Sequence, residues 1–346
     1  MKIDLHVHVV GNGSGGTGCW YRPRGWTRLA QPMMLRAFHL EVSALRGNLD
    51  ELYARQLLAF VRESSLDAVV ILAQDEPHSA TGEVLAGVGS FYVPNSHVLR
   101  LAREHPEFLA GVSIHPARRD ALEELEKCLA EGAALLKCLP NCQNIDWMDR
   151  RYTPFLERMA EAGLPLLAHT GGEHTLPVVD RSLADPRVLT RALEIGVVCI
   201  AAHCATASGC FDRDYFDVFA GMMGRFPHLY GDNSAFNVPN GRLRGRHLER
   251  CLAAPLHGRI LHGSDAPVPV FGHEPYLRGL VSRRAFFASR RESNPLERDY
   301  QLKRAMGFPE ASFTRAAELI RRGMGLRPMS SPNTGWKPVP RHIPSH

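Results

Sequence analysis

The sequence predicts a single (β/α)₈ TIM barrel, an α/β fold in which eight parallel strands alternate with helices. Eight short apolar segments recur along the chain, and amphipathic segments separate them. In addition, the longest connections follow predicted strands, on the side where such a barrel carries its functional loops. The 346 residues, of which 45% are hydrophobic, are enough for one core of this kind with inserted loops.

The eight apolar segments are too short for helices. Several are almost continuously apolar, as expected of strands that are buried on both faces. They lie at residues 3–10, 67–73, 109–114, 133–138, 164–169, 197–203, 229–233 and 259–264.

Amphipathic stretches lie between these strands. In 49–64, for example, Leu49, Leu52, Tyr53 and Leu57 recur at helical spacing. The alternation indicates parallel βα units, and eight units favour a closed barrel because closure leaves no edge strand. An open doubly wound sheet is the alternative that this pattern leaves. The other predicted helices are 96–104, 119–131, 153–162, 184–195, 212–225, 243–253 and 312–322.

Three connections are too long for simple βα loops. Residues 11–48 follow the first predicted strand, 74–95 the second, and about 266–311 the eighth. All three leave the carboxyl ends of strands, so we expect them to surround a pocket at the mouth of the barrel. We interpret 11–48, which is rich in glycine and carries several aromatic residues, as a lid over that pocket.

The barrel is predicted to occupy residues 1–325. Residues 326–346 are rich in Pro and Ser, contain three basic residues and no acidic one, and are predicted to be a disordered tail. The formal net charge is +5, and without the tail 38 basic residues face 36 acidic ones. A body this close to neutral gives no electrostatic reason to expect binding to nucleic acid or to an acidic membrane.

The eight cysteines form no C-x-x-C pair, and the first residues do not form a secretion signal. No segment is long and apolar enough to predict a membrane span. We therefore expect a cytoplasmic protein with reduced, mostly buried thiols and a small-molecule substrate. Assembly as a homo-oligomer is left open.

Polar side chains alternate along the first strand. Asp4, His6 and His8 should share one face, which we predict points to the barrel axis, while Ile3, Leu5, Val7 and Val9 face the helices. Two imidazoles spaced two residues apart can reach one metal ion. The alternative is a pair of core histidines with hydrogen-bond partners, but three buried polar groups in a row require such partners.

Other strand ends carry groups that can bind a metal or a substrate. Lys137 ends the fourth strand, His169 the fifth and His203 the sixth, and Asp265 follows the eighth. In a barrel such positions converge on one mouth. Four imidazoles and a carboxylate there predict a divalent transition-metal site, with Zn²⁺ the best match. Asn233, after the seventh strand, is a candidate substrate contact.

These motifs, in this order, resemble the amidohydrolase superfamily of metal-dependent barrel hydrolases. Within it the chain is most similar to the branch that also contains aminocarboxymuconate-semialdehyde decarboxylase-like proteins. The resemblance covers about residues 1–325 and rests on D-L-H-V-H, L-L-A-H-T-G, A-A-H-C and L-H-G-S-D-A-P.

The resemblance implies roles for individual residues. His6, His8 and His169 match metal ligands, and Asp265 matches both the last ligand and the catalytic base. His203 matches a histidine that binds a second metal or contacts water or substrate. Lys137 stands where some members carry a carboxylated lysine that bridges two metals, although an unmodified lysine cannot ligate. One metal ion is favoured, with two kept open.

Lys137 also has simpler interpretations: a positive charge that binds a substrate carboxylate, or an ion pair with Asp146. The predicted function is hydrolysis of an amide, lactone or ester by a metal-activated water, with Asp265 as base and His203 or Lys137 stabilising the oxyanion. The alternatives are a metal-dependent decarboxylase and, less favoured, a non-catalytic metal- or ligand-binding barrel. A nuclease barrel is disfavoured by the neutral body and by the lysine at 137.

Overall fold

The computed structural model describes residues 1–238 and 241–323. Eight parallel strands form one sheet in sequence order, each paired with the next along the chain. They are β1 (Ile3–His8), β2 (Ala68–Leu72), β3 (Phe108–Val112), β4 (Leu135–Cys138), β5 (Leu166–His169), β6 (Cys199–Ala202), β7 (Leu229–Asp232) and β8 (Ile260–Leu261).

The first and last strands approach each other and nearly close the sheet. The backbone N–H of Leu5 donates to His262 O at 3.0 Å, and that of His8 donates to Ala266 O at 2.8 Å. Val7 and Ala266 form a parallel bridge. The predicted (β/α)₈ barrel is therefore confirmed, and all eight predicted strands lie where the sequence places them.

Helices lie between the strands and within the long connections. They are α1 (Trp26–Ala37), α2 (Leu49–Arg62), α3 (Asn95–Glu104), α4 (Ala121–Ala130), α5 (Pro140–Gln143), α6 (Thr153–Ala162), α7 (Thr190–Ile195), α8 (Phe216–Arg225), α9 (Gly241–Arg244), α10 (Leu248–Leu252), α11 (His273–Leu277), α12 (Arg283–Arg291), α13 (Pro295–Met306) and α14 (Glu310–Gly323).

The long connections contain more regular structure than the sequence predicts. The segment 11–48 contains α1, and its strand-like pair Trp20–Tyr21 joins Phe91–Tyr92 of 74–95 in a small antiparallel sheet. The third connection contains α11, α12 and α13. The first two connections are thus joined to each other above the barrel.

The predicted orientation of the first strand is wrong in its first half. Ile3 and Leu5 pack with Leu135 and Leu167, on the face that also bears Lys137 and His169. Asp4 instead points outward, where its carboxylate accepts the N–H groups of His6 and Ser264. The cause is a register shift between Asp4 and Val7. Such a bulge inserts one residue, so the alternation of faces restarts after it and brings His6 and His8 inward.

All eight cysteines are free thiols, and seven of them are buried. No helix in residues 1–238 and 241–323 is long and apolar enough to cross a membrane. The predicted tail at 326–346 lies outside the described residues.

Candidate metal centre

The carboxyl ends of the strands bring the predicted site residues to one mouth. His6 and His8 come from β1, Lys137 from β4 and His169 from β5. His203 directly follows β6, and Asp265 follows β8. Residues up to 259 positions apart in the sequence thereby become neighbours, as the barrel topology requires.

Three of these residues form a tight cluster. The ligand atoms of His6, His203 and Asp265 all lie within 4.8 Å of one another. Asp265 Oδ1 is 3.3 Å from His6 Nε2 and 3.3 Å from His8 Nε2, so His8 adjoins the cluster through the same carboxylate. The close approach of the last strand depends on Gly263, where a Cβ would lie 2.7 Å from the Cβ of His6.

The hydrogen-bond partners fix which nitrogen each imidazole leaves free. His6 Nδ1 donates to Asp232 Oδ2 at 2.8 Å, so Nε2 is the unprotonated nitrogen of the neutral ring. His203 Nδ1 faces Ser234 O at 3.2 Å, and because a carbonyl only accepts, Nδ1 carries the proton there too. Both rings therefore present a bare Nε2, which is the form that binds a metal.

The electrostatics of the mouth keep these rings neutral. Burial lowers the pKa of His6 and of His203, and it lowers the pKa of His169 to about 4. Burial alone would raise the pKa of Asp265, but the facing His6, His8 and Lys137 outweigh it and hold the pKa below its ordinary value. The site thus combines neutral imidazoles with an ionised carboxylate, the donor set that suits Zn²⁺.

Two of the clustered residues also have unusual backbone conformations. His203 has φ of 58° and Asp265 has φ of 65°. Both values lie in the left-handed region, which residues other than glycine seldom adopt. Strain of this kind is typical of functional sites, where it places a side chain that a regular strand would point elsewhere.

His169 lies beside the cluster rather than within it. Its ring centroid is 4.9 Å from that of His203. Its Nε2 faces Gly172 O at 3.1 Å, so this nitrogen carries the proton, and a metal could be bound only through Nδ1. The carboxylate of Glu173, 3.4 Å from Nε2, also contacts the ring. If His169 is a metal ligand as predicted, it must therefore bind through Nδ1, whereas His6 would bind through Nε2.

Lys137 is fully buried, and its Nζ lies 3.0 Å from His6 Nε2. Burial lowers its pKa. The suggested ion pair with Asp146 is absent from the structure, because Asp146 is exposed and its carboxylate accepts the N–H of Met148. The amine instead contacts His6 Nε2, the nitrogen that is free to bind a metal. A carboxylated Lys137 would have to bind the metal at this same place.

Asn233 does not lie where the predicted substrate contact would have to be. It is completely buried, its Oδ1 accepts the Gly263 N–H at 3.3 Å, and it does not line the cavity at the mouth. The preceding residue, Asp232, is the one that contacts the site: Oδ2 bonds His6, and Oδ1 accepts the His203 N–H at 2.7 Å. Sequence reasoning missed Asp232, although a carboxylate at the end of the seventh strand occupies the same position as His169 on the fifth.

A cavity of about 410 Å³ opens above the cluster. His8, His203 and Asp265 lie in its wall, and most of the remaining wall is apolar. As predicted, all three long connections contribute to it. Their contributions are Tyr21, Pro23, Thr27, Ala30, Met33 and Met34 from the first, Ser90 and Phe91 from the second, and Pro267, Val268 and Pro269 from the third.

Two further charged groups in the wall were not predicted from the sequence. Arg244 on α9 is buried and donates to Thr206 O and Gly172 O at 3.0 and 2.6 Å. Glu173 has a side chain only 6% exposed. Its pKa lies below the ordinary value because His169, Thr175 and Arg244 together outweigh the effect of burial. The two charges place a polar patch beside the apolar wall.

A family model described as amidohydrolase matches residues 3–285. The chain belongs to the amidohydrolase family. No curated protein matches this amidohydrolase.

Several solved structures share its fold. An uncharacterized TIM-barrel protein from Bordetella bronchiseptica has 16% identity and a TM-score of 0.62, with 94% of this chain and 99% of that chain covered. A putative 2-pyrone-4,6-dicarboxylic acid hydrolase from Pseudomonas putida has 15% identity and a TM-score of 0.53, with coverages of 94% and 97%. A probable enzyme of the same name from Acinetobacter baumannii has 13% identity, a TM-score of 0.50, and coverages of 89% and 99%. At these identities the likeness extends to the fold.

Proposed function

We propose that this amidohydrolase is a metal-dependent hydrolase that attacks the amide, lactone or ester carbonyl of a small molecule. The observation that carries the proposal is the cluster of His6, His203 and Asp265, whose ligand atoms lie within 4.8 Å of one another beside a cavity of about 410 Å³. Zn²⁺ is the ion that best suits this donor set. One ion at the mouth is favoured, and a carbamate on Lys137 would be needed for two ions at the mouth.

The ion would be held by the bare nitrogens of His6 and His203 and by the Asp265 carboxylate, with His8 and His169 adjacent. Once bound there, a divalent ion supplies Lewis acidity, which lowers the pKa of water and polarises a carbonyl. Each of these two histidines has a hydrogen-bond partner on the ring nitrogen that would not bind the ion. Asp232 accepts from Nδ1 of His6, and Ser234 accepts from Nδ1 of His203. Such partners fix the ring orientation and the tautomer of a ligand.

Asp265 is the proposed proton carrier. Its carboxylate is ionised and lines the cavity, so it can accept a proton from the attacking water and then deliver it to the leaving group. The expectation that His203 stabilises the oxyanion does not fit its tautomer, because a ring with the proton on Nδ1 has no proton to donate from Nε2. Arg244 lines the cavity and uses two of its five N–H donors on carbonyls, so it can bind the polar end of the substrate.

The apolar part of the cavity favours a substrate with a hydrophobic body. Met33 and Met34 of α1 and Phe91 face the same space as the cluster. Methionine side chains adapt to ligands of different shape. A panel of amides, lactones and esters with apolar substituents is therefore the proper starting point for a search for activity.

Hydrolysis is tested by the origin of the product oxygen. The metal-loaded protein would be incubated with a turned-over member of the panel in H₂¹⁸O, and the products analysed by mass spectrometry. We expect one ¹⁸O atom in the acid product of each turnover. Release of CO₂ from a panel member that also carries a carboxylate, with no ¹⁸O in the remaining product, would identify a decarboxylase instead. A metal-loaded protein that turns over no member of the panel would favour a binding barrel.

A further inference from the structure

A second group of potential metal ligands lies apart from the mouth cluster. Cys19 in the first long connection, Asp50 on α2 and His97 on α3 offer ligand atoms that all lie within 4.8 Å of one another. Their exposed fractions are 4%, 2% and 3%. Three chemically different ligands are thus held together in the interior by three separate elements of the chain.

His97 carries an unsatisfied nitrogen at this point. Its Nδ1 faces Arg100 Nη2 at 3.1 Å, and because a guanidinium only donates, Nδ1 accepts. Its Nε2 is buried and has no hydrogen-bond partner in the described structure. A buried ring nitrogen without a partner is costly, so its persistence beside a thiol and a carboxylate calls for an additional partner.

Asp50 organises the surrounding loop. Its carboxylate accepts the N–H of Asn12 at 2.7 Å and the hydroxyl of Ser14 at 3.0 Å, and it also bonds Thr17. Gly11 makes room for the arrangement, since a Cβ there would lie 2.6 Å from Asp50 Oδ1 and 2.8 Å from the Cβ of Cys19. The loop is therefore shaped around the Asp50 side chain, which lies next to the thiol.

We infer that Cys19, Asp50 and His97 form a second, structural metal site for a divalent ion of the zinc type. Thiolate, imidazole and carboxylate are the three ligand types that Zn²⁺ uses in proteins. A fourth position would be filled by water or by the Thr17 hydroxyl, which accepts the N–H of Cys19. The site uses none of the residues of the mouth cluster.

Binding requires two proton shifts. Burial raises the pKa of the Cys19 thiol to about 12, so without the ion the sulfur is protonated. The ion displaces this proton to solvent, and the thiolate becomes a ligand. In His97 the ring proton moves from Nε2 to Nδ1, and Arg100 gives up Nδ1 while keeping its bond of 3.0 Å to Glu104. The ion would then be bonded by the Cys19 sulfur, by an Asp50 oxygen and by the freed Nε2 of His97.

The ion would fix the loop that shapes the substrate cavity. Cys19 directly precedes the pair Trp20–Tyr21, and Tyr21 lines the cavity. A cross-link from Cys19 to α2 and α3 would hold this wall in place without taking part in the reaction. Its expected signature is therefore in metal content and thermal stability.

Cobalt provides a test that separates the two sites. Apo full-length protein under reducing conditions would be titrated with Co²⁺ and followed in the near ultraviolet, where a thiolate ligand gives a charge-transfer band. The ligands at the mouth are nitrogen and oxygen only, so the band reports on Cys19. We expect the band together with two cobalt ions per chain, and Cys19→Ser should lose the band and one ion.

Further variants control this result. Cys210→Ser, which removes the exposed thiol, should leave the band unchanged. Asp265→Asn should weaken cobalt binding at the mouth and keep the band, so a failure of the proposed function would not mimic a failure of this inference. If Cys19→Ser does not fold, His97→Gln provides the test instead. It keeps the thiol but removes one ligand, so the band should be weaker than in the wild type. A wild-type protein that fills the mouth without the band, or a band that survives in Cys19→Ser, overturns the inference.

Discussion

Replacing Asp265 by asparagine is expected to lower kcat/KM by about 10²–10⁴-fold while leaving the fold intact. The amide cannot accept the proton that the carboxylate takes from water. It also removes the negative charge that faces His6 and His8 at 3.3 Å. The measurement is steady-state kinetics on the substrate found in the panel, with metal content determined on the same samples.

Asp146→Asn is the matched control for this variant. It makes the same chemical change in an exposed carboxylate, and its kcat/KM should match that of the wild type. If Asp265→Asn retained both its metal and full activity, Asp265 could not be the base, and the proposed reaction would have to be abandoned.

The second large effect is expected from Asp232→Asn, which should lower metal affinity or activity by about 10–100-fold. Asp232 accepts the His6 Nδ1–H at 2.8 Å through one oxygen, and the N–H groups of His203 and Ser234 at 2.7 and 3.1 Å through the other. An asparagine has one oxygen and must turn its NH₂ group toward one of these donors. As a result, either His6 is no longer held with its proton on Nδ1, or the backbone N–H of His203 loses its acceptor.

Competitive metal titration against a chromophoric chelator measures this effect directly. Asp214→Asn is a suitable control because Asp214 also pairs with a histidine, His247 at 3.1 Å, but away from the mouth. That variant should keep the metal affinity of the wild type. Unchanged metal affinity and activity in Asp232→Asn would show that His6 does not depend on its buried carboxylate partner. The claim that Asp232 positions His6 as a metal ligand would then be wrong.

The convergence of the site residues could be predicted because it depends on topology. His169 and His203 occupy equivalent strand ends, so the count of βα units was enough to bring them to one mouth. The orientation of Asp4 could not be predicted, since the bulge after it depends on how β1 pairs with β2. A local alternation pattern contains no information about the register of a partner strand.

Asn233 was predicted and Asp232 was missed for a related reason. At a strand end, adjacent residues point to opposite faces, and the sequence shows only where the apolar run stops. Gly231, which has no side chain to mark a face, precedes them. Arg244 falls within the predicted helix 243–253, but the sequence does not show that its side chain turns toward the mouth. Glu173 lies on a connection whose conformation follows from packing, and the internal Pro32 made α1 hard to predict as a helix.

The central claim is that a metal ion binds between His6, His203 and Asp265. Anomalous diffraction at the zinc edge, on crystals of the zinc-loaded protein, tests it most directly. We predict a peak at about 2.0–2.2 Å from the His6 and His203 nitrogens and from an Asp265 oxygen. A zinc-loaded crystal with no peak at the mouth, and with His6 Nε2 still bonded to Lys137, would contradict the claim.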